Sequence, residues 1–329
     1  MAQAPKLMAE TVMSVRPSFR YSKALPAPIL ADLVHNGPIV GRLLVVTAFV
    51  AVLAPAPTPR PRIVGISHVG LKVSSPGAAR AFYEEFLGLK DLRVNPRQRV
   101  ELIPGLAADE DRLDHIALET DDAEGLRRYL AARGVEVPDL VERDEGGRFT
   151  VHDPDGHAVE FVQPSPTGRR ELERREAAGG ARVSDRILHV GIIVGDVPAS
   201  MKFYDVLGFT ETWRGSRSGT ELSWINLKVP DGDDYVEFML YGERPAPDAR
   251  GTQHHICLQV PDLAKAQAWL EARPYRASYP RPLEPRVGTN RKRQLNLYDP
   301  DGTRVELMEP GTVDGRPAPS STAPPPHHP

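Results

Sequence analysis

An internal repeat constrains this chain more than any other feature. His68-Val-Gly-Leu-Lys-Val73, followed by Phe82-Tyr-Glu-Glu-Phe-Leu-Gly-Leu89, returns 121 residues later as His189-Val-Gly-Ile-Ile-Val194, followed by Phe203-Tyr-Asp-Val-Leu-Gly-Phe209. A second element, Asp114-His-Ile-Ala-Leu118 closing on Asp153-Pro-Asp-Gly-His-Ala-Val-Glu160, returns as His254-His-Ile-Cys-Leu258 closing on Asp299-Pro-Asp-Gly-Thr-Arg-Val-Glu306. The chain therefore reads A-B-A′-B′, and a fold built on it must use the same supersecondary unit four times.

Each unit opens with alternation of period two. Val69, Leu71 and Val73 share one face, while His68 and Gly70 share the other, as in a strand covered on one side. A helix follows: Ser75 is a candidate N-cap before Pro76, and Ala79, Phe82, Tyr83 and Phe86 recur at helical spacing before Gly88. Residues 122–132, 196–207 and 262–272 repeat the plan. Short strands then follow, the last entered through Asp-Pro-Asp-Gly, a turn sequence. The expected class is α+β, with four βαβββ modules in tandem.

The alternation also carries chemistry. Glu160, Glu237 and Glu306 each interrupt an apolar closing strand on the face opposite Val159 and Phe161, Val236 and Phe238, and Val305 and Leu307. With Glu101 they pair, unit by unit, with the opening-strand histidines: His68 with Glu101, His115 with Glu160, His189 with Glu237, and His255 with Glu306. A carboxylate on such a strand facing a histidine is costly to desolvate unless a cation lies between them. Pairing of A with B, or of A with B′, gives two His₂Glu₂ sets either way. The Arg-, Glu- and Gly-rich stretch at 164–186 reads as a linker and favours consecutive pairing. The first unit has the shortest spacing, 33 positions from His68 to Glu101 against 45, 48 and 51 elsewhere, so its strands must be short.

These runs resemble the glyoxalase-type signature of the vicinal oxygen chelate superfamily, which includes glyoxalase I, extradiol dioxygenases and bleomycin-resistance proteins. The resemblance covers residues 63–310 and implies two cupped mixed sheets, at 63–163 and 187–310. It also implies a divalent metal, Ni, Co, Zn, Mn or Fe, held by the opening-strand His and closing-strand Glu of paired modules. By the same resemblance, a glyoxalase-type lyase acting on a small substrate with adjacent oxygens takes its base from Glu306 or Glu160. The alternatives are a non-haem Fe(II) dioxygenase and a metal-free binding protein. Extradiol dioxygenases carry a Tyr three residues ahead of the last Asp-Pro turn, where this chain has Asn296 and, in the earlier half, Thr150; Tyr298 lies two residues on.

Composition narrows the rest. The 329 residues suit two domains. With 41 basic and 44 acidic residues the chain has no global positive field for nucleic acid, which leaves a small molecule as the expected partner. The single cysteine, Cys257, excludes an intrachain disulfide and a cysteine-built zinc site; it sits two residues past His255 on the same face. Arg286, Arg291, Lys292 and Arg293 could meet a substrate anion or form a solvated loop, and Tyr235, Met239 and Tyr241 share the face of Glu237. The uncharged run from Leu43 to Ala54, ahead of Pro55 and Ala56, is shorter than the roughly 18 to 20 residues of a membrane span. It fits the h-region and cleavage site of an export signal at 43–56, within an N-terminal segment 1–62; without such a signal the chain stays in the cytoplasm. The Pro-rich stretch 311–329, ending near His327 and His328, reads as a disordered tail.

Overall fold

A computed structural model describes residues 59–143, 146–177 and 180–326. The run at 43–56, His327 and His328 lie outside them. Fourteen strands form two sheets. In the first half β1 (Ile63–Val73), β2 (Arg99–Pro104), β3 (Leu113–Thr120), β4 (Val141–Arg143), β5 (Gly146–His152) and β6 (Ala158–Pro164) run in the order β2-β1-β3-β6-β5-β4. In the second half the strands are β7 (Ile187–Val194), β8 (Thr210–Gly215), β9 (Trp224–Lys228), β10 (Tyr235–Leu240), β11 (His255–Gln259), β12 (Arg286–Val287), β13 (Lys292–Tyr298) and β14 (Arg304–Thr312). Their order is β12-β13-β14-β11-β7-β10-β9-β8.

Modules pair consecutively. β1 lies antiparallel to β3 and β7 antiparallel to β11, while each opening strand runs parallel to the closing strand of its own module. Helices follow the opening strands as expected: α1 (Pro76–Arg80), which continues as a π-helical turn over Ala81–Phe86, α2 (Ala123–Ala131), α4 (Val197–Val206) and α5 (Leu263–Glu271). Ser75, Asp122, Asp196 and Asp262 cap them, each side chain accepting a backbone N–H three residues on. Gly88 and Gly208 end the first and third at φ 74° and 84°, a conformation that costs an L side chain strain.

Three expectations are corrected. The first module has one strand after its helix instead of three: Leu89 to Gln98 is taken up by a 3-10 turn at Lys90–Leu92 and a single bridge between Arg93 and Arg99, leaving no length for two more. The linker holds a helix, α3 (Pro166–Ala177), because Pro166 opens it and Leu, Arg and Glu, good helix formers, fill it. The tail, expected to be disordered, is placed through residue 326. β14 runs on to Thr312, Pro324 and Pro319 carbonyls accept from Leu222 N and Trp213 Nε1, and Ser321 N donates to Arg214. Ala323 packs against the core, and these bonds to main chain and to the Trp213 indole hold the tail along the second sheet. Among the described residues no helix is long and apolar enough to cross a membrane.

The halves share one core. Phe86 packs on Tyr279 and Tyr275 at ring separations of 4.9 and 5.3 Å, and the hydroxyls of Tyr83 and Tyr204 donate to Asp299 and Asp153, each the first residue of the other half's Asp-Pro-Asp-Gly turn. Asp234 forms a further joint, accepting from Ile66 N (3.0 Å) and Gln98 Nε2 (3.2 Å) of the first half and from Arg186 Nη2 (2.8 Å). Burial pushes its carboxyl up despite these donors. Asp234→Ala would strand a guanidinium and two amide donors, and is expected to cost about 3 kcal/mol, read as a lower midpoint in urea denaturation. An unchanged midpoint would show that the joint contributes nothing.

Candidate metal centres

The two concave faces carry the same construction. In the first half, His68 Nε2 lies 3.2 Å from Glu160 Oε2, and His115 Nε2 lies 3.9 Å from the same oxygen. In the second half, His189 and His255 Nε2 stand 3.0 Å apart, with Glu306 Oε2 at 3.5 and 3.7 Å. The imidazoles meet edge to face in both, at 5.0 Å and 88° or 89°. Within each of the groups His68, His115, Glu160 and His189, His255, Glu306, the ligand atoms all lie within 4.8 Å of one another.

This convergence fits a shared cation. Donors about 2.1 Å from one ion lie about 3.0 Å apart at a right angle and about 3.4 Å apart at the tetrahedral angle. His68 Nε2, His115 Nε2 and Glu160 Oε2 are buried and have no hydrogen-bond partner among the described residues, a state that costs about 1–3 kcal/mol per group unless something binds there. The outer nitrogens are held. His115 Nδ1–H donates to Asp114 Oδ2 (2.8 Å) and keeps that carboxyl below its ordinary range. His255 Nδ1 lies 2.7 Å from both the Gln253 carbonyl and Arg304 Nη2; the tautomer that donates to the carbonyl turns the Nε2 lone pair inward, as a ligand requires. Burial holds His68, His189 and His255 below the ordinary imidazole range, aided at His189 by the His255 charge and at His255 by Arg304, so they meet a metal in the neutral, ligating form.

A glycine makes each pair of imidazoles possible. Gly70 and Gly191 share the face of His68 and His189 and lie opposite His115 and His255 across the strand pair. A Cβ on Gly191 would fall inside 3.0 Å of three His255 ring atoms, and one on Gly70 inside 3.0 Å of two in His115. The His-Val-Gly repeat is therefore ligand, core residue and ring cradle in turn.

The fourth expected carboxylate of each half reaches one or both of the same histidines but is not part of the mutually close group. Glu237 Oε2 reaches His189 and His255 at 3.8 and 3.5 Å but lies outside the mutually close group. Burial, then the Glu306 charge, push its carboxyl up to about 8. For Glu306 burial acts in the same direction but is outweighed by the His255 bond and by the Arg304 and histidine charges, which hold it at about 2. Glu101 lies 3.2 Å from His68 Nε2, is 38% exposed and is tied to Arg99 at 3.1 Å.

Of the other candidates, Cys257 is buried between His189 and Glu306 in the strand register, and burial with the Glu306 charge pushes its thiol well up. Arg291 turns to Asp314 and Arg293 to Glu309, whereas Arg286 lines a cavity of about 480 Å³ over Glu237 and Glu306. Met239, Asn296 and Tyr298 line it too, with Trp213 and Trp224, so Tyr298 does face the site. The Tyr235 ring stacks on His189 at 4.5 Å, and Tyr241 is absent from the cavity lining. Sequence reasoning missed Arg304, Asn226, which pairs with Glu237 across the strands, and Asp114. Only Asp114 had a local signal, a carboxylate next to a ligand histidine.

The family model described as Glyoxalase/Bleomycin resistance protein/Dioxygenase superfamily matches residues 65–161 and 186–307. A stretch of 130 residues, 39% of this chain and 99% of the relative, is 30% identical to the uncharacterized protein YwbC of Bacillus subtilis (strain 168). Similar solved structures include an extradiol ring-cleaving dioxygenase from B. fuscum (TM-score 0.58, 18% identity, 81% of this chain and 77% of that one). Homoprotocatechuate 2,3-dioxygenase from Arthrobacter globiformis (0.57, 18%, 81% and 86%) and the 2,3-dioxygenase LapB from Pseudomonas sp. KL28 (0.56, 19%, 79% and 97%) are two more. The model matches the strands that bear both triads, and the chain belongs to the glyoxalase, bleomycin resistance protein and dioxygenase superfamily.

Proposed function

We propose that the chain is a metal-dependent oxygenase acting on a small vicinal diol, of the ring-cleaving dioxygenase type, with its diol site in the second half. The observation that carries this reading is the mutually close group of two histidines and one glutamate, His189, His255 and Glu306, with Glu306 held ionised while burial and the Glu306 charge favour the protonated form of Glu237. Iron(II) in such a triad supplies the redox couple through which a diol and dioxygen exchange electrons. His189, His255 and Glu306 would hold it, and the Gln253 carbonyl, accepting from His255 Nδ1–H, fixes His255. Trp213, Trp224 and Tyr298 wall the cavity and suit the flat faces of an aromatic ring. Glu237 lines the same cavity and, with burial and the Glu306 charge favouring its protonated form, is placed to donate a proton or hydrogen bond to a substrate oxygen. The three solved structures of similar fold named above, each a ring-cleaving or 2,3-dioxygenase, support the reading.

A second reading, the glyoxalase-type lyase, is favoured by Glu237 standing 3.5 Å from His255, within reach of a fourth ligand position. The test is protein purified without added metal, assayed for metal content, for oxygen uptake with 4-methylcatechol, and for isomerisation of the methylglyoxal–glutathione hemithioacetal. Iron together with diol-dependent oxygen uptake is the expected result. Nickel- or zinc-dependent isomerisation without oxygen uptake would replace the proposal with the lyase. Protein that takes up no metal even on reconstitution would leave a binding protein.

A further inference from the structure

The two halves keep the same triad and set cavities of different chemistry beside it, the first over His68 and the second over Glu306. The first cavity, about 740 Å³, opens over His68 and Glu101 and, among the described residues, is lined by Arg93, Arg97, Arg99, Arg143, Arg148 and Arg169 against four glutamates, with no aromatic residue. The second is lined by two tryptophans, a tyrosine and a methionine, with three arginines. The divergence can be read position by position. Arg99 stands opposite His68 in the parallel pair where Tyr235 stands opposite His189, and Arg148 stands two residues before Thr150, the partner of Glu160, where Gln294 stands two before Asn296, the partner of Glu306. One exchange runs the other way, Ala158 against Arg304, so the second cavity keeps one guanidinium beside His255 among its three, against six in the first.

Four of these guanidiniums, Arg97, Arg99, Arg148 and Arg169, share three carboxylates among the described residues. Arg97 and Arg169 share the buried Glu119 at 3.8 and 2.7 Å, Arg99 meets Glu101 at 3.1 Å, and Arg148 meets Glu160 at 3.5 Å. A guanidinium has five N–H donors in a planar fork, so one carboxylate contact leaves donors for a phosphate or carboxylate group.

We propose that the first triad is a separate centre whose substrate is a small polyanion, a molecule that brings adjacent oxygens to the metal and a second anionic group to the arginines, while the second centre takes the aromatic diol. This rests on reading both triads as metal centres. The chain then carries two specificities on one duplicated frame.

The test uses the full chain loaded with zinc, titrated by calorimetry with 3-phosphoglycerate, with glycerate, which has the same chelating end and no phosphate, and with 4-methylcatechol. 3-Phosphoglycerate is expected to bind one site per chain at least ten-fold more tightly than glycerate. That preference should disappear in Arg97→Gln/Arg143→Gln, both exposed enough to leave the fold intact, and in Arg148→Gln. Glu306→Ala should leave 3-phosphoglycerate binding within two-fold and weaken 4-methylcatechol binding. Equal affinity for the two acids, a preference that survives both sets of arginine changes, or its loss in Glu306→Ala would overturn the proposal. Metal per chain is counted separately: a first triad that stays metal-free while 3-phosphoglycerate still outbinds glycerate overturns the metal reading and leaves the anion specificity standing.

Discussion

Gly191→Ala is expected to remove the metal from the second centre while the chain stays folded. The added methyl would stand inside 3.0 Å of Cε1, Nδ1 and Nε2 of His255, and that ring is 2% exposed with its Nδ1 against a backbone carbonyl. It can escape only by rotating its lone pair off the triad. Lost ligand geometry of this kind weakens a site by about 10- to 100-fold, while overpacking by one methyl costs about 1–3 kcal/mol, too little to unfold a chain with a core this large. Metal per chain should fall by one equivalent, and a chromogenic chelator should strip the variant at concentrations that leave the wild type loaded. Gly70→Ala should do the same to the first centre through His115, and Gly77→Ala, where a Cβ meets nothing within 4 Å, is the matched control. Full metal retention in Gly191→Ala would mean that the two imidazoles do not share an ion.

Much of this was legible in the repeat. The four modules, their helix caps and all six triad residues follow from alternation and duplication, because a strand's period of two fixes which side chains share a face. What alternation cannot give is depth. Glu101 and Glu237 lie on the correct face, yet they stand off the mutually close groups because β2 and β10 flank the β1–β3 and β7–β11 pairs on the side away from β6 and β14, a matter of sheet order. Gly70 and Gly191 were visible as letters, but their role depends on which ring lies across the strand. The arginine cavity draws on Arg93 to Arg99, Arg143, Arg148 and Arg169, segments dispersed along the sequence that only the closed sheet assembles. The helix at Pro166–Ala177 and the ordered tail failed for another reason: composition alone does not show which backbone groups find partners.

The sharpest separation of the two enzyme readings comes from comparing Glu306→Ala with Glu237→Gln. If the ion is held by three residues, Glu306→Ala removes the carboxylate that already bears the charge in the metal-free protein, its carboxyl sitting at about 2, and second-centre affinity should fall by at least 1,000-fold, about 4 kcal/mol. Glu237→Gln should then keep the metal within ten-fold and lower turnover instead. Proton counting gives an independent check. Glu237, raised to about 8, is protonated at pH 7, so an ion that used it as a fourth ligand would have to expel that proton. Uptake would release close to one proton from it, and affinity would climb with pH until about 8. An ion held by His189, His255 and Glu306 alone needs no proton from Glu237, and any proton its charge drives off there leaves no matching loss of affinity in Glu237→Gln. Calorimetry of metal uptake in buffers of different ionisation enthalpy reads this number directly. A proton released in the wild type and absent in Glu237→Gln, with a matching loss of affinity, would make Glu237 a ligand and return the second centre to the lyase; no such loss of affinity leaves the two-histidine, one-carboxylate triad on which the dioxygenase reading stands.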